Sequence, residues 1–459
     1  MKDSFADWWR PGGTLGRRRY FILGACLMAV KFNLDRLLYA TLFDRHWSPF
    51  DSEFVMNFLF RWSLYPQDAR QAAILVAAAI PFLWIGVVLT LKRLRSAGLP
   101  LWLAVLFFVP LVKFLFFAVL CVLPSRESLE MRPRPRLDTL LPASSLGSAL
   151  AAVVATFVPA LLLGWLCTTL LENYAASLFI GIPFSQGFLA ALFHGRRERR
   201  SIGACLGVAY LSVFCAGVAF FAFAMEGIIC LLMAAPLAAI LATLGACLGY
   251  AVQNQRAHSS ETARLACVAL LAMPGLMWLE DAQPPADPLL KVTSAVDVAA
   301  PPERVWRNVI SFSELPPADE WIFRIGIAYP IRASIVGEGV GAIRRCEFST
   351  GPFVEPIEVW DEPRLLKFSV TANPAPLQEW TLYARVEPPH LHGFLVSEGG
   401  QFHLIPLPNG GTRLEGTTWY RHHMWPARYW QIWSDFLIHK IHLRVLRHVA
   451  RLSEDTSAF

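Results

Sequence analysis

Glu280-Asp281-Ala282-Gln283-Pro284-Pro285-Ala286-Asp287-Pro288 divides the chain. Proline fixes φ and lacks the N–H that a helix or a sheet needs, so three prolines among three carboxylates mark a polar linker. Upstream lie apolar runs of about 20 residues, the length that crosses a bilayer as helix. Downstream come short alternating runs separated by turn residues, the texture of strands. The linker at 280–289 thus separates two membrane regions, 1–125 and 126–279, from a water-soluble domain at 290–455.

Composition agrees with that division. The chain of 459 residues is 55% hydrophobic and only 17% charged, with a mean hydropathy of +0.43, whereas a soluble domain carries about 25% charge. Residues 1–279 hold 24 Lys/Arg against 14 Asp/Glu, and residues 280–459 hold 17 against 21. A basic excess on an apolar region is what cytoplasmic loops produce, which argues against nucleic-acid binding. Eight of the nine cysteines lie in apolar stretches and Cys346 stands alone after the linker, so no disulfide framework is expected. Without CxxC or HExxH spacing, neither a metal nor a cofactor is expected.

Seven spans are read, at residues 20–43, 71–91, 146–171, 177–193, 202–224, 227–252 and 265–279. Lys31, Asp35 and Arg36 interrupt the first, with Lys31 and Asp35 spaced to pair on one helix face. Basic clusters orient the spans: Arg17 to Arg19; Lys92, Arg93 and Arg95; Arg126, Arg132, Arg134 and Arg136; and Arg196, Arg197, Arg199 and Arg200. Keeping all four inside requires residues 99–123 to form a two-legged hairpin around Pro110 and Lys113. The seventh span then emerges outside, and the C-terminal domain is expected in the periplasm. Glu226, between the fifth and sixth spans, is read as a solvated turn residue, with a buried relay or ion site as the alternative. No internal repeat or chain of ionisable residues points to a carrier.

Two N-terminal patches carry a resemblance. Gly16-Arg17-Arg18-Arg19-Tyr20-Phe21, and Lys92-Arg93-Leu94-Arg95-Ser96-Ala97-Gly98 followed by Trp102, resemble the bacterial membrane family called domain of unknown function 805. That family usually has His-Asp where Arg95 and Ser96 stand here. The resemblance implies a bacterial inner (plasma) membrane protein and no particular activity.

After the linker, strands are expected at residues 291–298, 342–348, 357–360, 365–371, 379–387, 393–397, 401–405 and 412–420, with a hairpin turn at Asn409-Gly410-Gly411. Pro301 and Pro302 open a short helix. Trp430, Trp433, Leu437, Ile441, Val445 and Val449 recur with a 3.6-residue period and predict a long amphipathic helix at 427–452. This order, with the segments Val292 to Trp306, Val336-Gly337-Glu338-Gly339-Val340-Gly341 and Gly410-Gly411-Thr412-Arg413-Leu414, resembles the SRPBCC or START-like superfamily of polyketide cyclase-like and lipid-transfer proteins. The expected fold is therefore an α-helical multipass membrane bundle followed by an α+β helix-grip domain, its antiparallel sheet wrapped on the C-terminal helix.

Such a fold implies an apolar pocket. Trp360, Phe368, Trp380, Phe402, Trp419, Tyr429 and Trp433 are its expected aromatic lining, with Glu347 and His392 as polar members and Arg345 and His439 as further candidates. The expected partners are the lipid bilayer and a lipid or other hydrophobic small molecule. Two alternatives stand beside binding: an enzyme using Asp319, Glu320 or His392 as acid or base, and a ligand sensor. No catalytic constellation is legible.

Overall fold

A helix satisfies the backbone polar groups of an apolar run within the run itself, and the described apolar runs read from the sequence fold in that way. The computed structural model of the chain describes residues 9–42, 69–108, 112–125, 142, 144–170, 174–254, 288–380 and 388–455. The contacts divide the chain into two compact units, Met1–Phe220 with Ala234–Pro285, and Phe221–Met233 with Ala286–Phe459.

The first unit is helical: α1 (Arg17–Leu42), α2 (Ala69–Ala97), a 3-10 turn at Leu101–Phe108, α3 (Val112–Val122), α4 (Ser145–Trp165), α5 (Ile182–His194), α6 (Ile202–Ala222) and α7 (Ile228–Asn254), the last two running into the second unit. Among the described residues, five segments are long and apolar enough to cross a membrane: Ala77–Ala97, Ser145–Thr168, Ser177–His194, Ile202–Ala222 and Ile228–Gln253. They correspond to five of the seven spans read from the sequence. The first of the seven forms α1, which is not among the five because its charges lower its hydropathy; the pair Lys31–Asp35 does form there. The seventh, 265–279, lies outside the described residues, as does Pro110. The two legs expected around Pro110 are the 3-10 turn and α3.

Small residues let α5 and α7 pack backbone to backbone: a Cβ on Gly187 would meet Ala242 O at 2.1 Å, and one on Gly245 would meet Phe184 O at 2.1 Å. Polar side chains pair inside the unit, with Thr156 Oγ1 at 2.7 Å from Ser212 Oγ and Gln186 Nε2 donating to the Ser212 carbonyl at 3.1 Å. Arg93, read from the sequence as part of a basic cluster on the cytoplasmic side, is fully buried. Its guanidinium donates to Leu120 O at 2.8 Å, to Leu123 O and to Ser96 Oγ at 3.2 Å. It thereby closes the C-terminal end of α3, where carbonyls lack helical partners and the helix dipole favours a cation.

Among its described residues the second unit holds a seven-stranded antiparallel sheet of order β1-β7-β6-β5-β4-β3-β2. Its strands are β1 (Leu290–Val298), β2 (Pro330–Val336), β3 (Ile343–Phe348), β4 (Gly351–Asp361), β5 (Leu365–Ser369), β6 (Leu395–Pro406) and β7 (Thr412–His422). Helix α8 (Pro302–Ile310) and the long α9 (Ala427–Glu454) bury their apolar faces on the sheet. This is the helix-grip order expected from the sequence. The two strands expected at 393–397 and 401–405 are one strand, with a register shift between Ser397 and Gly399. Glycine is needed there because a Cβ on Gly399 would meet Phe368 O at 2.7 Å. Most of the strand expected at 379–387 lies outside the described residues.

Candidate functional site

Between the sheet and α9 the structure leaves a partly open cavity of about 120 Å³. Successive strand residues point to opposite faces, so β3 sends Arg344, Cys346 and Phe348 inward and turns Arg345 and Glu347 outward. Glu355 is the direct register partner of Arg344 on β4. The two form an ion pair at 2% and 8% side-chain exposure. Phe368 of β5 and Phe402 of β6 complete the wall opposite Val445 and Leu446 of α9.

Arg344 is the centre of this wall. Its guanidinium lies 5.6, 5.7 and 5.4 Å from the rings of Phe312, Phe368 and Phe402, within cation–π range. Nε donates to Ile310 O at 3.2 Å and Nη1 to Glu355. Buried Nη2 has no hydrogen-bond partner among the described residues. A buried donor left unmade costs roughly 1–3 kcal/mol, and more on a charged group. Burial raises the Glu355 pKa against the pull of Arg344. Burial, followed by the nearby Glu355 carboxylate, pushes the Cys346 thiol up to about 12, so it is a protonated wall residue and not a nucleophile.

His442 brings the second polar group. Its Nε2 lies 2.7 Å from Thr418 Oγ1 and its Nδ1 3.1 Å from Ser294 Oγ, which also contacts His439 Nδ1 at 2.7 Å. Burial, then the neighbouring His439, lowers the His442 pKa to about 4. A neutral imidazole has one donor and one acceptor nitrogen, and the two hydroxyls match both.

Of the residues expected to line the pocket, Phe368 and Phe402 do so. Trp360 packs edge-on against Trp306, with centroids 5.6 Å apart. Trp380 is 56% exposed. Trp419 stacks under Lys367 with its ring 6.0 Å from Nζ, Tyr429 donates to Met233 O, and Trp433 is half-buried on α9. Glu347 pairs with Arg332 at 2.8 Å on the outer face. His392 and Asp319 are exposed, and Glu320 pairs with Lys440 at 3.0 Å; none of the three lines the cavity. The sequence reading passed over Arg344, Glu355 and His442 as cavity groups. Strand parity was the available signal, because Arg344 shares the face of Cys346 and Phe348, and Glu355 that of Phe353 and Ile357.

No family model matches the chain. No curated protein matches it either. Solved structures resemble its C-terminal part: truncated norcoclaurine synthase from Thalictrum flavum (13% identity, 36% of this chain and 94% of that one, TM-score 0.24), the Zhui aromatase/cyclase from Streptomyces sp. R1128 (14%, 36% and 94%, TM-score 0.24), and a protein from Nitrosomonas europaea (14%, 37% and 97%, TM-score 0.23). The fold described above stands on this chain's own strand order and helices.

Proposed function

We propose that the cavity binds a small apolar ligand carrying a carbonyl or carboxylate oxygen, held close to a membrane. The observation that carries this reading is Arg344, buried in an aromatic pocket wall with its Nη2 left without a hydrogen-bond partner among the described residues. A mostly apolar pocket with a few polar groups, here Arg344 and His442 among them, is the usual form of a small-ligand site. The size sets the scale, since an engineered apolar cavity of about 150 Å³ accommodates benzene. One ring or a short run of methylenes, such as part of a lipid, therefore fills the cavity.

The test uses the full chain in detergent, because Phe221–Met233 fold with the domain. Octanoate and benzoate are expected to bind at least about tenfold more tightly than toluene, as a charge-assisted hydrogen bond of roughly 1.5–3 kcal/mol implies. Equal affinities for all three, measured by calorimetry, overturn the role of Arg344.

The reading includes an inner-membrane location with the domain outside the cytoplasm. Arg196, Arg197, Arg199 and Arg200 precede α6 and are retained inside by the positive-inside rule. If α6 crosses once, its far end at Phe221 emerges outside, and that end counts with the C-terminal unit. Alkaline phosphatase fused after Phe459 is expected to be active, and fluorescence of a cytoplasm-only reporter there would reverse the orientation.

A further inference from the structure

The turn after α6 carries Glu226, and Cys230 follows four residues later in the first turn of α7. Both belong to the second unit. Glu226, expected in solvent, is 8% exposed. A 3-10 turn at Pro389–Leu391 brings in His390, 5% exposed. Its Nε2 lies 2.9 Å from Cys230 Sγ and its Nδ1 3.6 Å from Glu226 Oε2. One donor atom from each of the three lies within 4.8 Å of the others. Behind them Glu379, 7% exposed, accepts from the Ile229 N–H at 3.0 Å and the Cys230 N–H at 3.1 Å. The backbone that aims Cys230 is therefore fixed from the sheet side, and a Cβ on Gly227 would meet the Glu379 carboxylate at 2.1 Å.

We propose that Glu226, Cys230 and His390 bind a divalent metal ion of the zinc class, which fastens the start of α7 to the Pro389–Leu391 turn. Thiolate, imidazole and carboxylate are the three donor types that zinc takes, at about 2.3, 2.0–2.1 and 2.0–2.2 Å. Around a tetrahedral ion such donors stand roughly 3.2–3.7 Å apart. His390 faces Cys230 with Nε2 and Glu226 with Nδ1, so loading one ion takes a turn of the imidazole or a swing of the carboxylate that brings three donor atoms, already within 4.8 Å of one another, around it. A thiolate and a carboxylate neutralise the two charges of the ion, which a buried cluster requires. The thiolate excludes magnesium and calcium as preferred ions, because those take oxygen donors. Three protein donors leave a fourth position for water or a further ligand. The site lacks a short-range motif because Cys230 and His390 are 160 residues apart.

The test uses the full-length chain in detergent, purified without a polyhistidine tag, loaded with zinc(II) and desalted. Elemental analysis is expected to find one zinc per chain, and cobalt(II) in its place is expected to give the near-ultraviolet charge-transfer band of a thiolate ligand. Cys230→Ser abolishes that band and weakens zinc binding by more than about 100-fold, since even outer-sphere partners of a metal site cost 10–100-fold. His390→Gln and Glu226→Gln weaken binding in the same direction, while Cys26→Ser, on α1, leaves it unchanged. A wild-type chain that retains no zinc overturns the proposal. So does a cobalt spectrum without the thiolate band, a result that stands even where a variant fails to fold, and so does undiminished zinc in a folded Cys230→Ser.

Discussion

Arg93 and Arg344 are both at or below 1% exposure, one in the helical unit and one against the sheet. Their surroundings differ in what is left over. Arg93 meets two helix-end carbonyls and a serine hydroxyl, so the cation completes a helix terminus. Arg344, a residue of the pocket wall, meets one carboxylate, one carbonyl and three rings, and its buried Nη2 has no hydrogen-bond partner among the described residues. A buried charge is therefore no sign of a binding site by itself. An unused valence next to open volume is.

The largest effect is expected from breaking the domain pair on one side. Arg344→Ala leaves Glu355 buried without its cation and costs about 3–5 kcal/mol of domain stability by denaturant titration, whereas Arg344→Met combined with Glu355→Leu stays within about 1 kcal/mol of wild type and loses octanoate. If the double variant still binds octanoate, the contrast drawn between the two arginines collapses.

Next in size is a pH effect confined to the domain. His442 has a folded pKa of about 4 against 6.5 in the open chain. Between those values the unfolded state binds the extra proton, so stability falls as pH drops from 6.5 towards 4. His442→Gln is expected to remove roughly 2–3 kcal/mol of that loss, read as the difference between the two pH–stability curves. Parallel curves would deny His442 its buried neutral state.

Arg93→Ala is expected to lower the stability of the helical unit by about 2 kcal/mol, through lost charged hydrogen bonds, and to leave octanoate affinity unchanged. A change in octanoate affinity would show that Arg93 also acts on binding. The smallest effect belongs to the outer face of β3. Glu347→Ala removes an exposed pair with Arg332 and is expected to leave the denaturation midpoint unchanged within the error of the titration.

The same inner and outer faces explain what could be read in advance. Apolar runs of bilayer length and the 3.6-residue period of α9 survive any local detail, so the helices and the helix-grip order were legible. Strand β2 was missed because Pro330 opens it, which an edge strand tolerates. Pro352 and Pro356 hid the first half of β4, where the ladder to β5 has not yet begun and starts only at Ile357. At the cavity, choosing aromatics by type took no account of strand parity, and so Arg345 and Glu347 stood where Arg344 and Glu355 belong. The Glu226–Cys230–His390 cluster was beyond local reading, because no period or spacing links a helix start to a turn 160 residues later.

Glu379 also has a consequence for the timing of synthesis. The amides that open α7 at Ile229 and Cys230 receive their carboxylate from a residue 150 and 149 positions further on. At about 5–20 residues per second, a ribosome needs roughly 10–30 s to make that stretch. Through that interval the first turn of α7 stands without its cap, and any factor that escorts the nascent chain meets it in that state. The helix is begun midway through translation and capped only after a further 150 residues, while β6, β7 and α9 are still to be made.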